Sequence, residues 1–300
     1  MDHEFMIVDV FSERAFGGNQ LAVFPDARAL SDGVMQTLAR EFNFAETTFV
    51  LPSSVAGCTH RVRIFTPKME LPFAGHPTVG TAVVLAHAGQ VPLHAGRGSL
   101  RFEEGVGPVS VEVEVDRDRL MARFTLEREV DQAERGPELR AIASVLSLRA
   151  ESIAEAWFAG VGVPFCFVRV HDKSDVDCAM LDRAAWKQES SGAWSPHIFF
   201  FAGELRSGGQ LYARMFAPAL GVDEDPATGS ASAALVGTLA CRSDRPDADV
   251  DLVIDQGHAM GRPSRIHAAA TKRGGRVRHV SVAGAATIVA RGVMSVPSET

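Results

Sequence analysis

Two segments of this chain, separated by about half its length, repeat the same pattern. The first spans residues 63–82 and contains R-I-F-T-P and then G-H-P-T-V-G-T-A. The second spans residues 214–231 and contains R-M-F-A-P and then E-D-P-A-T-G-S-A. Aligned on the polar residue before proline, His76 of the first copy corresponds to Asp225 of the second. The repeat predicts two similar lobes, and the different polar residues at matched positions predict a site that both lobes share.

Length, charge and hydropathy narrow the class of protein. A chain of 300 residues with 46% hydrophobic and 22% charged residues is typical of a soluble protein of about two domains. A net charge of −7 without a basic stripe argues against binding to DNA or RNA. No apolar run reaches the ~18 residues of a membrane span, and the acidic first residues differ from the basic start of a signal peptide. We therefore expect a cytoplasmic protein that binds neither nucleic acid nor a membrane.

Two helices are expected to be buried. Residues 77–88 and 226–241 consist mainly of Ala, Val, Leu, Gly, Ser and Thr, and a helix that is apolar nearly all round is typically buried. Each begins with a proline, which is favoured in the first helical turn because its missing N–H has no partner there. Alternating polar and apolar residues predict strands elsewhere, at 109–115, 120–126, 251–255, 276–282 and 287–294.

This pattern predicts an α+β fold with two lobes, each a strand-rich layer around one buried helix. The charged stretch 128–136 is the best candidate for a linker. The N-terminal lobe would then span residues 1–127 and the C-terminal lobe residues 137–286.

The start of each buried helix is a candidate anion site. His76 and Asp225 precede these helices in glycine-containing turns, where backbone N–H groups and the positive end of the helix dipole meet. Two such ends facing each other would hold a small carboxylate between them. The alternative is that both are ordinary helix starts, in which the hydroxyls of Thr81 and Ser230 satisfy local backbone groups.

Three side chains are candidates for proton transfer. Glu46 follows a helix and begins an apolar strand, where burial beside Phe44 and Phe49 would raise its pKa above the ~4.3 of a free glutamate. Such a carboxylate can take up and return a proton near neutral pH. His76 and Asp225, brought together, could share a proton. The alternatives are an exposed glutamate at a strand end, a structural histidine, and an aspartate that caps a helix.

Motifs of other enzyme classes are absent from the sequence. It contains no G-x-S-x-G turn, no P-loop and no G-x-G-x-x-G at a strand–helix turn. No H-E-x-x-H motif or close His/Cys cluster predicts a metal site. A hydrolase that uses Ser230 with His76 and Asp225 is a weaker option.

The motifs resemble those of the PhzF-like family of phenazine biosynthesis isomerases, and the resemblance spans nearly the whole chain. Order, spacing and residue types agree across the matching segments. These segments are V-D-V-F at residues 8–11, F-G-G-N-Q-L-A-V-F at 16–24, A-E-T-T-F at 45–49, F-A-G-H-P-T-V-G at 73–80 and D-P-A-T-G-S-A at 225–231.

The resemblance implies the diaminopimelate epimerase-like fold, in which each lobe is a mostly antiparallel, barrel-like sheet around a central helix. In such folds the final strand can return to the first lobe, so we expect residues 287–294 to complete the N-terminal lobe. The family's enzymes use neither a metal nor an organic cofactor, and they are commonly homodimers.

The resemblance also implies roles for individual residues. Glu46 would be the general base and acid that lifts a proton from one carbon of the substrate and replaces it on another. His76, Asp225 and Ser230 would orient the amino and carboxylate groups of the substrate and tune protonation. Asn19, Gly75 and Gly229 would contribute to substrate binding, the glycines because they allow close approach of the backbone.

Two departures from related enzymes bear on the reaction. Racemases and epimerases of this fold use a pair of cysteines at the two helix starts, and those motifs contain no cysteine here. Many relatives have serine before the catalytic glutamate, whereas this chain has Ala45. We therefore expect a cofactor-independent isomerase that moves a proton on a small, carboxylate-bearing, amino-acid-like metabolite in an interlobe cleft. The alternative is a protein that binds a small acid without transforming it.

Overall fold

The chain forms two compact units. The computed structural model describes residues 2–117 and 119–296. Unit 1 comprises Met1–Leu126 together with Ala283–Thr300, and unit 2 comprises Glu127–Val282.

Strands dominate both units, and helices are few. In chain order the elements are β1 (Asp2–Val10), β2 (Asn19–Phe24), α1 (Asp32–Phe42), β3 (Glu46–Pro52), β4 (His60–Phe65), β5 (Glu70–Leu71), α2 (Gly75–His87), β6 (Arg97–Glu104), β7 (Gly107–Asp116), β8 (Arg119–Leu126), β9 (Asp131–Gln132), α3 (Leu139–Val145), β10 (Ile153–Gly160), β11 (Pro164–Val170), α4 (Lys173–Cys178), α5 (Arg183–Glu189), β12 (Ile198–Gly203), β13 (Gly209–Ala217), β14 (Val222–Glu224), α6 (Gly229–Arg242), β15 (Ala248–Gln256), β16 (Ser264–Arg273) and β17 (Arg276–Ser295).

The two units use the same order of strand pairings. In unit 1, β1 pairs antiparallel with β2, β2 parallel with β3, β3 antiparallel with β4, and β4 antiparallel with β5 and parallel with β6. In unit 2, β10 to β15 repeat this order strand for strand. The parallel pairs are those whose connection contains a helix, as a crossover requires. The predicted α+β fold of two similar, mostly antiparallel lobes is confirmed.

The last strand closes the sheet of unit 1. Residues 276–282 and 287–294, expected as two strands, form the single strand β17. Its later part pairs antiparallel with β1, from Asp2 opposite Ser295 to Val10 opposite Ala286. Because β17 also pairs with β8, the strands of unit 1 form a closed ring around α2.

The segment 128–136, expected as a linker, contains a short strand. It belongs to unit 2, and within it β9 pairs antiparallel with the end of β10. The charged residues that suggested a linker, such as Glu129 and Glu134, are consistent with a segment on the surface, because both side chains are exposed.

The two helices expected to be buried are the central helices of the units. Every residue of α2 from Gly75 to Ala86 is buried, and most of α6 is buried as well. Their starts differ from the expectation: α2 begins two residues before Pro77, whereas α6 begins three residues after Pro226. In unit 2 the segment after the proline remains non-helical up to Thr228, which has φ −114° and ψ 85°.

An arginine–glutamate pair precedes each central helix. Arg63 donates two hydrogen bonds to the carboxylate of Glu70, both of 2.7 Å. Arg214 does the same with Glu224, both at 2.8 Å. The guanidinium carbon of each arginine lies 5.1 Å from the ring centre of the phenylalanine two residues later. In each unit, the R-x-F motif therefore stabilises the strand that leads into the turn before the central helix.

No helix in the described part of the chain is both long and apolar enough to cross a membrane.

Close packing of α2 generates a stability prediction. A Cβ atom at Gly80 would lie 2.6 Å from Cγ2 of Val10 and 2.7 Å from Cδ2 of Leu21. Overpacking of this kind costs about 1–3 kcal/mol, which outweighs the gain of about 1 kcal/mol from replacing glycine in a helix. We expect Gly80→Ala to lower the free energy of unfolding, measured by urea denaturation.

Gly33 in α1 is the matched control, because no atom lies within 4 Å of the position of its Cβ. Gly33→Ala should leave the free energy of unfolding unchanged or raise it by up to about 1 kcal/mol. Equal midpoints for the two variants would show that α2 is not packed as tightly as described.

Candidate active site

Three of the residues singled out from the sequence lie together in unit 1. Glu46 is the first residue of β3 and His76 the second residue of α2. Their Oε2 and Nε2 atoms are 3.4 Å apart, and the side chains are 13% and 6% exposed. Asn19, the first residue of β2, is buried, and its Nδ2 lies 3.3 Å from Nδ1 of His76. The parallel pairing of Leu21 with Glu46 brings the starts of β2 and β3 to the same edge.

Gly18 makes this arrangement possible. Its φ is +64°, a left-handed conformation that glycine adopts without strain. A Cβ atom here would lie 2.2 Å from the carbonyl oxygen of Val10. The turn that delivers Asn19 to His76 therefore requires glycine at this position.

Burial keeps His76 neutral. Desolvation lowers the pKa of its imidazole to about 3, although a hydrogen bond to the backbone of Gln20 opposes this shift. A neutral imidazole carries one N–H, so one ring nitrogen donates while the other accepts. Nδ1 lies beside the amide of Asn19, whereas Nε2 faces Glu46 in a close contact that is not a hydrogen bond. His76 therefore lies against Glu46 as a neutral ring that resists a second proton.

Neither central helix has a side-chain cap at its start. The N-cap of α2 is Ala74 and that of α6 is Thr228, and neither side chain accepts a hydrogen bond from the amides of the first turn. Gly75 and Gly229 are the first residues of their helices. Uncapped N–H groups together with the helix dipole favour an anion at such a position. That these starts bind a carboxylate stays a prediction.

In unit 2, Asp225 belongs to a hydrogen-bonded turn. Its Oδ2 accepts a 2.5 Å hydrogen bond from Oγ1 of Thr228. Nε2 of Gln256 donates to the backbone carbonyl of Asp225 at 2.7 Å and to Oγ1 of Thr228 at 3.0 Å. The backbone N–H of Thr228 donates to Oε1 of Gln256 at 3.1 Å. This turn leads directly into Gly229 and Ser230 at the start of α6.

The sequence alignment of the two repeats was wrong in its register. The arginine–glutamate pairs are separated by 7 residues in unit 1 and by 10 in unit 2, whereas five residues separate each glutamate from the first helical glycine. The structural counterpart of His76 is therefore Ser230, and that of Asp225 is Leu71.

Hydrogen bonds within the helices confirm the new register. Oγ1 of Thr78 donates to the carbonyl of Ala74 at 2.8 Å, and Oγ of Ser232 donates to the carbonyl of Thr228 at 3.0 Å. Aligning the two prolines gave the wrong register, because Pro77 lies inside α2 whereas Pro226 precedes α6.

Gln256 was not among the residues identified from the sequence. It is buried at the end of β15, immediately before Gly257. A polar residue that ends an otherwise alternating strand, followed by glycine, was the available signal. Its partners lie about thirty residues earlier in the chain, so the sequence gives no indication of them.

Known proteins with similar sequences place this chain in a family. A family model described as phenazine biosynthesis-like protein, PhzC-PhzF, matches residues 8–292. The chain belongs to this family. The resemblance seen in the sequence motifs is thereby confirmed.

Individual PhzF-like proteins agree with this assignment. An uncharacterised isomerase of Mesorhizobium japonicum is 35% identical over 297 residues, with 96% of this chain and 97% of that protein covered. The trans-2,3-dihydro-3-hydroxyanthranilate isomerase of Pseudomonas aeruginosa is 33% identical over 290 residues, with 97% and 98% covered. A crystal structure of a PhzF-family phenazine biosynthesis protein from Bacillus anthracis has the same fold, with a TM-score of 0.85 at 22% identity over 99% of this chain and 100% of that chain. This PhzF-like protein is an isomerase.

In this PhzF-like protein, the described residues contain no group of three or more His, Cys, Asp or Glu side chains arranged to hold a metal ion. The homodimer and the cytoplasmic location expected from the sequence stay predictions.

The neutrality of His76 can be measured directly. Because its pKa is lowered to about 3 by burial, we expect the ring 15N chemical shifts of His76 to stay those of a neutral imidazole between pH 8 and pH 5. A histidine-containing peptide in the same sample should titrate near ~6.5. Titration of His76 together with the peptide would show that the ring is hydrated, contrary to the site described here.

Proposed function

We propose that this isomerase moves a proton on a small, carboxylate-bearing, amino-acid-like metabolite without a cofactor, and that Glu46 is its general base and acid. The observation that carries the proposal is the buried contact between Glu46 and a neutral His76. In this pair the carboxylate is the group that can take up a proton, since the imidazole resists a second one.

The reaction is an isomerisation, so the substrate and the product contain the same atoms. Glu46 would remove a proton from one carbon, the electron pair would shift along adjacent double bonds, and the same carboxylic acid would return the proton to a second carbon. His76 would pack against the Glu46 carboxyl group as a neutral ring, and Asn19 would hold the ring of His76.

The names of relatives support the substrate class. The Pseudomonas aeruginosa relative is named for trans-2,3-dihydro-3-hydroxyanthranilate, which has a carboxylate and an amino group on an unsaturated ring. We extend to this chain the chemical class and not the compound, because Ala45 replaces the serine that many relatives have beside the glutamate.

Asp225 and Ser230 would bind the polar groups of the substrate, and Gly75 and Gly229 would offer backbone N–H groups to its carboxylate. Asp225 is oriented by Thr228, and Ser230 occupies in unit 2 the helical position that His76 has in unit 1. That both clusters serve one reaction stays a prediction.

The role of Glu46 is tested by Glu46→Gln, which keeps the shape of the side chain but cannot carry a proton. We expect uptake of deuterium from D2O into carbon positions of the substrate to fall by at least about 100-fold, the usual minimum for losing a general base. The assay is a screen of carboxylate metabolites in D2O by mass spectrometry, with Glu41→Gln, an exposed change in α1, as control.

Exchange by Glu46→Gln at the wild-type rate would exclude Glu46 as the base. Binding of a metabolite by the wild type without any deuterium uptake would instead favour a protein that captures a small acid without transforming it.

The contribution of unit 2 is tested by Asp225→Asn and Ser230→Ala. Each removes one substrate-binding group, and losses of about 10-fold or more in kcat/KM are expected for a positioned polar contact. Asp244→Asn, which changes an exposed aspartate after α6, is the control and should match wild type. Wild-type kcat/KM in both test variants would confine the reaction to residues of unit 1.

A further inference from the structure

The strand that follows each central helix ends in a buried polar residue. In unit 1 this is Glu104, at the end of β6, and in unit 2 it is Gln256, at the end of β15. Their exposed fractions are 5% and 0%. No motif marks either residue in the sequence, and neither has a part in the function proposed above.

The two residues occupy equivalent places in their units. Each precedes a glycine that packs against the proline two residues before the helix N-cap. A Cβ at Gly105 would lie 2.7 Å from Cα of Pro72, and one at Gly257 would lie 2.6 Å from the carbonyl oxygen of Pro226. The end of the strand therefore lies directly against the turn that starts the helix.

Gln256 uses both ends of its amide in this turn. Oε1 accepts from the backbone N–H of Thr228, while Nε2 donates to the carbonyl of Asp225 and to Oγ1 of Thr228. Because the Thr228 hydroxyl in turn donates to the carboxylate of Asp225, Gln256 fixes both the backbone and the side-chain orientation of Asp225. A residue that only accepts, or only donates, cannot make this set of bonds.

Glu104 contacts the fourth residue of α2, whereas Gln256 contacts the N-cap of α6. Its Oε1 lies 2.9 Å from Oγ1 of Thr78, and that hydroxyl lies 2.8 Å from the carbonyl oxygen of Ala74. A hydroxyl has one hydrogen. It is donated either to Oε1 of Glu104, or to Ala74, in which case Oγ1 accepts from the protonated carboxyl group of Glu104.

Two observations agree with a protonated Glu104. Desolvation by burial raises its pKa to about 8, against the smaller opposing effect of the hydrogen bond with Thr78. Its Oε2 is buried and has no hydrogen-bond partner among the described residues, a situation far more costly for a carboxylate than for a carboxylic acid. Glu104 thus resembles Gln256 in being neutral and in forming a buried hydrogen bond at the start of a central helix.

We propose that Glu104 and Gln256 are matched positioning residues, each of which forms hydrogen bonds from a buried strand end that hold the turn presenting His76 in unit 1 and Asp225 in unit 2. Neither touches the reacting atoms. Each acts through a threonine hydroxyl, Thr78 or Thr228, and this inference rests on the proposed function of His76 and Asp225.

Substitutions at these two positions can separate the loss of a hydrogen-bonding group from a change in side-chain size. Glu104→Gln keeps a donor for Thr78, whereas Glu104→Leu removes it. Gln256→Met removes the amide at similar size, and Gln256→Glu keeps an acceptor for the N–H of Thr228 but, with a single carboxyl proton, loses at least one of the two donated bonds. Thr238→Val is the control, because it removes a buried hydroxyl of α6 that bonds only within the helix, to Ala234.

The first measurement is the steady-state kinetics of each folded variant. A misplaced catalytic group costs up to about 100-fold in rate. We expect kcat, per folded molecule, to fall by about 10- to 100-fold in Glu104→Leu, Gln256→Met and Gln256→Glu, with smaller changes in KM. Glu104→Gln and Thr238→Val should stay within about 3-fold of wild type. Unchanged kcat in the first three variants, or equal losses in Glu104→Gln and Glu104→Leu, would overturn the proposal.

Amide hydrogen exchange is the second measurement and does not depend on activity. The N–H of Thr228 should exchange faster in Gln256→Met than in wild type, and Gln256→Glu should retain more of its protection. Unchanged protection of Thr228 in Gln256→Met would overturn the positioning role even if the isomerase reaction were confirmed. Absence of deuterium uptake by the wild type, with Thr228 deprotected in Gln256→Met, would instead count against the proposed function alone.

Discussion

The burial of α2 and α6 on all sides is the constraint on which the rest of the structure depends. A helix enclosed by its sheet gains from contact with apolar side chains, but it also brings its polar first turn into the interior of the unit. Backbone and side-chain groups there lose water and must find partners within the protein. Polar side chains near the two turns supply such partners, among them Asn19, Glu46, Glu104 and Gln256.

The same constraint produces the chemical environment of the candidate site. Desolvation that holds His76 neutral also holds Glu104 in its protonated form, because both shifts arise from loss of water around an ionisable group. One buried helix start therefore supplies both a neutral imidazole beside Glu46 and a neutral acid beneath the turn. Metal ions are not needed to account for either state.

The two units share a scaffold but differ in the side chains at the starts of their central helices. The strand pairings, the arginine–glutamate pair and the hydroxyl bonded to the helix N-cap carbonyl are common to both units. At the second helical position, however, unit 1 has His76 and unit 2 has Ser230. The turn of unit 2 is also held by an amide where unit 1 uses a carboxyl group, so the two helix starts cannot perform the same chemistry.

Much of this organisation could be predicted from the sequence. The repeat identified two similar units, the small apolar residues identified both central helices, and the local motif placed Glu46 at the start of a strand. The contact between Glu46 and His76 was not contained in any local pattern, because thirty residues separate them and they lie at the starts of two different elements, β3 and α2. The match between His76 and Asp225 failed because proline marks a turn without fixing the residue at which the helix starts.

The sequence by itself determined the family, the secondary structure and the residue types available for proton transfer, since these follow from local pattern and composition. Only the tertiary structure decided which positions of the two repeats correspond, that His76 is neutral, and that Glu104 and Gln256 lie beside the two turns. The physical reason is that pKa values and hydrogen-bond partners depend on burial, and burial is set by contacts between segments far apart in the chain.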